Sequence, residues 1–168
     1  MFRIFASSLF LLSCGISIPA TAQDYARHLS GPAASAVIAY IEKTRIPCYT
    51  HKGEGQCRIA ESSGYAGVHY GAFPGDPARY AIAFIQYQYD QTGNASDQMA
   101  VLFRAEGERF APLQRLDNAP GGNPKNVQFL PGKITYTGSV LRASDTRATP
   151  TGQRAFTILV TPNGLTLK

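Results

Sequence analysis

The chain has 168 residues, 44% of them hydrophobic and 16% charged, with a formal net charge of +5. That length suits one domain with a real core. The basic residues are scattered, with no Lys/Arg cluster, which argues against a nucleic-acid stripe and leaves the charge as an aid to solubility.

The first residues read as an export signal. Arg3 supplies a positive charge, Ile4 to Ile18 an apolar core, and Pro19-Ala20-Thr21-Ala22 a small-x-small cleavage pattern. The spacing places cleavage between Ala22 and Gln23, so residues 1–22 are a signal peptide and 23–168 a single α+β domain. The apolar run is shorter than the about 20 residues a membrane span needs. Leu11-Leu12-Ser13-Cys14 offers a second reading, a lipobox with Cys14 lipidated. Either route exports the protein, to a periplasm or beyond.

Cys48 and Cys57 remain in the exported chain. An isolated pair in an oxidising compartment forms a disulfide. Closing a loop of about ten residues stabilises by roughly 2.5–3 kcal/mol on chain-entropy grounds.

Residues 23–29 are polar and read as loose. Ser30-Gly31-Pro32 then marks a helix start, with Ser30 as cap. Ala33, Val37, Tyr40, Ile41 and Thr44 recur at helical spacing, which predicts a helix over 33–45 stopped by Pro47. Cys48 to Cys57, with Gly53 and Gly55, is a stapled loop or small hairpin. Residues 62–77 are rich in Gly and Pro, with a short strand over Tyr65–Tyr70. Tyr80 to Tyr89 and Met99 to Arg104 form the central antiparallel hairpin, on a pleated, half-buried surface. Arg109 to Leu116 follows as a strand made edge-like by Pro112. Residues 117–124 read as a loop. Val127 to Leu130, the turn Pro131-Gly132 and Lys133 to Leu141 make another hairpin, in which Ile134, Tyr136 and Val140 share one face. Asp145 to Gln153 is a loop, Ala155 to Val160 a strand, and Asn163-Gly164 turns into Leu165-Thr166-Leu167. The expected architecture is one N-terminal helix packed on an antiparallel β-meander sheet of about five to seven strands.

Candidate chemistry is sparse. The histidines are His28, His51 and His69, and no Gly-x-Ser-x-Gly elbow accompanies them. No phosphate loop, dinucleotide fingerprint or haem motif is present, so no cofactor is expected. Asp90, Asp97, Glu106 and Glu108 flank turns and read as solvated. Cys48, His51, Cys57 and His69 match no common zinc spacing, so no metal is expected. Tyr87 and Tyr89 share one strand face, while Tyr49 and Tyr70 sit in stapled or glycine-rich segments. Rings held on a rigid sheet can bind glycans or peptides, or can simply pack.

Two resemblances carry further expectations. Gly75-Asp76, the Pro131-Gly132-Lys133-Ile134 strand, Asp145-x-Arg147-x-x-Pro150 and Asn163-Gly164-Leu165 resemble a loose set of uncharacterised secreted bacterial proteins. Those often carry Cys-Cys before that proline, where this chain has Ala148 and Thr149. The resemblance spans roughly residues 75–168 and implies a β-meander without a known activity. Cys48-x-x-His51 in a stapled loop is similar to the Ivy-type periplasmic lysozyme inhibitors, whose short disulfide loop carries a His into the lysozyme cleft. That similarity implies a binding role for His51, although Cys57 comes later than the motif's closing cysteine.

The reading is therefore an exported, non-catalytic envelope binding protein, an inhibitor or immunity factor being one form. Its partner is a protein or glycan, met through His51, Lys52, Tyr49, His69, Tyr70, Tyr87 and Tyr89. The alternatives are a small cell-wall-acting enzyme using His69 and Asp76 near Tyr70, or a structural accessory protein.

Overall fold

The computed structural model describes residues 25–62, 64–90, 95–146 and 149–168. The expected signal peptide, with its cleavage between Ala22 and Gln23, and the alternative lipobox at Cys14 both lie outside the described residues. So do Gly93 and Asn94 of the central turn, and Arg147 and Ala148.

One ten-residue helix, α1 (Ala34–Lys43), precedes ten strands: β1 (Arg45–Thr50), β2 (Gly53–Arg58), β3 (Gly64–Gly71), β4 (Tyr80–Gln88), β5 (Ser96–Glu106), β6 (Arg109–Leu116), β7 (Gly122–Leu130), β8 (Lys133–Val140), β9 (Gly152–Thr161) and β10 (Gly164–Leu167). They form three sheets: the hairpin β1–β2, a first meander β3–β4–β5–β6, and a second meander in the order β10–β9–β8–β7. All ladder pairs are antiparallel. The mixed α+β class is therefore observed, but the single sheet of five to seven strands is corrected to ten strands in three sheets among the described residues. The helix, too, is not N-terminal. It starts at Ala34, with helical residues Tyr25 and Ala26 ahead of it.

The reason for a second sheet lies in β4 and β5. Ala81, Ala83, Ile85 and Tyr87, with Met99, Val101 and Phe103, face α1 and join Val37, Ile41 and Ile59 in one core. The alternate residues Ile82, Phe84, Ala100 and Leu102 form a second core with Ile134, Tyr136 and Ile158 of the second sheet. The middle sheet is thus covered on both faces, which is why Tyr80 to Ile85 is a continuous buried run rather than a half-buried alternation. The Tyr136 ring packs on Phe84 at 4.7 Å, and its hydroxyl donates to the Pro120 carbonyl at 2.6 Å.

Local corrections follow from tertiary partners. Residues 23–29 read as loose, yet Tyr25 is fully buried and its hydroxyl donates to the Gln86 carbonyl at 3.1 Å and pairs with Ser62 Oγ at 3.1 Å. Burial pushes the Tyr25 phenol up to about 12, against the opposing pull of Ser62. Ser30 supplies no side-chain cap to α1. The Tyr70 hydroxyl works there instead, accepting from the Ala33 N–H at 3.1 Å and donating to the Ser30 carbonyl at 2.9 Å. The helix ends two residues before the expected Arg45, because β1 already begins there. Part of the expected 117–124 loop, and the end of the 145–153 loop, are strand, drawn into pairing with β8. The β5–β6 register shifts between Leu102 and Phe103, and Phe103 pairs with Pro112 on an edge strand, as the proline demands.

Candidate binding site

The hairpin strand β1 alternates, while β2 is exposed throughout except at Cys57. Ile46, Cys48 and Cys57 are buried, while Pro47, Tyr49, Glu54 and Gln56 are exposed. Cys48 and Cys57 are disulfide-bonded, with Cα atoms 5.8 Å apart. Ile46 roots the hairpin in the helix-side core. Its other anchor is main chain: the Tyr49 N–H donates to the Tyr89 carbonyl at 2.8 Å, just past the end of β4. Staple, root and tether together hold the hairpin against one end of the middle sheet.

Between hairpin and sheet lies an open cleft of about 500 Å³. The hairpin contributes Pro47, Tyr49, Glu54 and Gln56, and the chain around β4 contributes Tyr87 and Tyr89. Asp97 comes from the start of β5, Arg115 from the end of β6, and Asp117 and Asn118 from the segment after it. Tyr87 and Asp97 stand directly opposite each other in the β4–β5 ladder. Arg115 grips Asp117 with two contacts, Nε–Oδ1 at 3.0 Å and Nη2–Oδ2 at 3.1 Å. Asp97 Oδ1 accepts the Gln98 N–H at 2.7 Å. The next turn is fixed by Gln98, whose carbonyl takes the Ala119 N–H at 2.7 Å and whose amide donates to the Gly121 carbonyl at 2.9 Å. A second hollow of about 290 Å³ adjoins, sharing Asp97 and Asn118.

The Tyr87 ring is buried, at 6% exposure. Burial first, then the charges of Asp97 and Asp117, push its hydroxyl up to about 12, so it stays protonated. That phenol can donate to a ligand oxygen or accept from a ligand N–H.

Three of the seven expected binding residues, Tyr49, Tyr87 and Tyr89, thus meet in one cleft. His51 and Lys52 are exposed at the hairpin tip instead, in a turn held by Thr50 Oγ1, which donates to the Gly53 carbonyl at 3.0 Å and accepts the Lys52 N–H at 3.1 Å. His69 lies on β3 with its ring edge-on to Phe84 at 6.0 Å, and burial lowers its pKa. Tyr70, its strand neighbour, points to the opposite face and caps α1. Asp76 is bound to the Tyr80 hydroxyl at 2.6 Å and the Ala78 N–H at 2.9 Å. His69 thus packs on Phe84, Tyr70 caps α1, and Asp76 is bonded to Tyr80. The sulfurs of the Cys48, His51, Cys57, His69 set are committed to the disulfide.

Asp97, Arg115, Asp117 and Asn118 were missed as site residues. Only the register of Tyr87 against Asp97 could have flagged them, and that depends on a turn length the sequence leaves open.

The chain matches no protein-family model, and no curated protein and no solved structure matches it. Among the described residues no helix is long and apolar enough to cross a membrane.

Proposed function

We propose that this is an exported, non-catalytic binding protein of the bacterial envelope, and that the cleft between hairpin and sheet is its ligand site. One observation carries the reading: tyrosines from two distant parts of the chain, Tyr49 and the pair Tyr87 and Tyr89, converge on one hollow lined with carboxylates. Rigid rings lose little entropy on contact, and polar groups placed among them fix orientation. The Cys48–Cys57 disulfide supports an oxidising compartment. With a protein as occupant, the role is that of an inhibitor or immunity factor. A lysozyme-type target would instead meet His51 and Lys52 at the exposed tip.

Capture of envelope components on the purified protein tests this, with Tyr89→Ala as the cleft variant and His51→Ala as the tip variant. A stoichiometric partner retained by wild type and by His51→Ala, but lost by Tyr89→Ala, is the expected result. Loss in His51→Ala alone moves the site to the tip. Hydrolysis of cell-wall polymer by wild type overturns the non-catalytic reading.

A further inference from the structure

The cleft carries a charge imbalance of its own. Glu54, Asp97 and Asp117 face a single cation, Arg115, within a protein that is positive overall. Arg115 is already held by Asp117 through two contacts. Glu54 and Asp97 have no ion-pair partner among the described residues. A second observation is independent of the carboxylates. Tyr87 is more than nine-tenths buried, yet its hydroxyl is the part left open to the cleft, and it has no hydrogen-bond partner among the described residues. An unpartnered phenol oxygen beside an unpaired carboxylate, under tyrosine rings, is the arrangement that accepts an N–H cation. The carboxylate and phenol take hydrogen bonds, and the ring faces attract the charge.

The hairpin adds a main-chain feature. Because the Tyr49 N–H points away from β2, to Tyr89, the pair Tyr49–Glu54 is not hydrogen-bonded within the hairpin. The N–H and C=O of Glu54, and by alternation of Gln56, therefore point to the free edge of β2. These two residues also line the cleft. An extended peptide can pair with such an edge while one of its side chains enters a neighbouring pocket.

Resting on the reading of the cleft as the ligand site, we propose that its occupant is the basic side chain, lysine or arginine, of an extended segment of a partner protein. Asp97 and the Tyr87 hydroxyl receive the cation, Tyr89 and Tyr49 cover its apolar stem, and the edge of β2 aligns the backbone.

The test uses the full exported chain, isotope-labelled, with amide shifts followed by NMR during titration. The probes are a blocked Val-Val-Lys-Val-Val peptide, the same peptide with Nε-acetyl-lysine, and a glucosamine tetramer. The lysine peptide is expected to shift signals of the hairpin and of residues 87–89 and 115–118. Acetylation is expected to weaken binding about tenfold or more, as loss of a charge-assisted hydrogen bond does. Asp97→Asn should do the same, and 0.5 M salt should weaken the wild-type complex. Glu54→Gln, at an exposed position, is the second variant should Asp97→Asn fail to fold. Equal binding of the two peptides overturns the proposal. So does a glucosamine tetramer that binds the cleft more tightly than the lysine peptide, with that binding lost in Tyr89→Ala; the cleft then remains a ligand site, but for an amino sugar. If no probe shifts any cleft signal at millimolar concentration while a captured partner still depends on Tyr89, the cation reading alone falls. If the partner too is indifferent to Tyr89, the cleft reading falls with it.

Discussion

Tyr25 should be the residue whose loss costs the fold most for its place in the sequence. It precedes every strand, in a stretch whose composition is polar, yet its side chain has no exposed surface. Removing only the hydroxyl, Tyr25→Phe, deletes the bonds to Ser62 Oγ and the Gln86 carbonyl. Ser62 keeps its bond to the Ile59 carbonyl at 2.9 Å, so one partner is left satisfied. The expected cost is about 1–2 kcal/mol. Tyr25→Ala also empties the space of a buried ring, which costs about 3–5 kcal/mol more. Together these approach the whole stability of an ordinary domain, about 5–15 kcal/mol. Urea denaturation followed by circular dichroism reads both variants, with the midpoint falling and the slope unchanged. By melting, Tyr25→Phe should fall by about 2–8 °C for a domain of this size. An alkaline arm adds a sign. The folded phenol titrates near 12 and the unfolded one near 10, so the folded state holds the extra proton between those values. Its contribution is fully present below pH 10 and disappears as pH rises toward 12. Tyr87 and Tyr136, also raised by burial, share that fall, so Tyr25→Phe should make it shallower without abolishing it. A Tyr25→Ala protein less than about 1 kcal/mol below wild type would refute the anchoring role.

Two further outcomes follow. Reducing Cys48–Cys57, nine residues apart, should remove about 2.7 kcal/mol by loop-closure entropy, read by urea denaturation with and without reductant; an unchanged midpoint would show that the hairpin stays closed on its packing alone. His69 has its pKa lowered by burial, so the unfolded chain takes up a proton first as pH falls below about 6.5, and stability should drop from there downward. His69→Gln should flatten the profile between pH 7 and 5, and an equally steep profile in that variant would place the titrating group elsewhere.

The strands were largely legible because β-branched and aromatic residues cluster between Gly- and Pro-rich breaks. Lys133 to Val140 shows it best, with Ile134 and Tyr136 inward as alternation requires. The layer count was not legible, because the run Tyr80 to Ile85 is apolar on both faces and a single meander supplies only one cover. Gly122 to Val127 has no strand composition at all. It becomes a strand because it is drawn against β8, with two register irregularities as the mark of its poor intrinsic fit. Of the cleft, the rings of Tyr87 and Tyr89 could be found from alternation. Its charges could not, since Asp97 and Asp117 reach it only through a hairpin register and a sheet-to-sheet turn.

The two meanders are each built from an unbroken stretch of chain, with α1, the stapled hairpin and the middle sheet all before residue 117 and the outer sheet all after residue 121. The second core, Phe84 against Tyr136 among others, is in chemical terms the interface of a heterodimer whose subunits happen to share a peptide link. What the link supplies is effective concentration, which for a tether this short reaches the millimolar range or above. Asp117 and Asn118 lie on that tether and also line the cleft. The site is therefore sensitive to how the two halves dock, since any shift of the outer sheet pulls on the same few residues that complete the pocket.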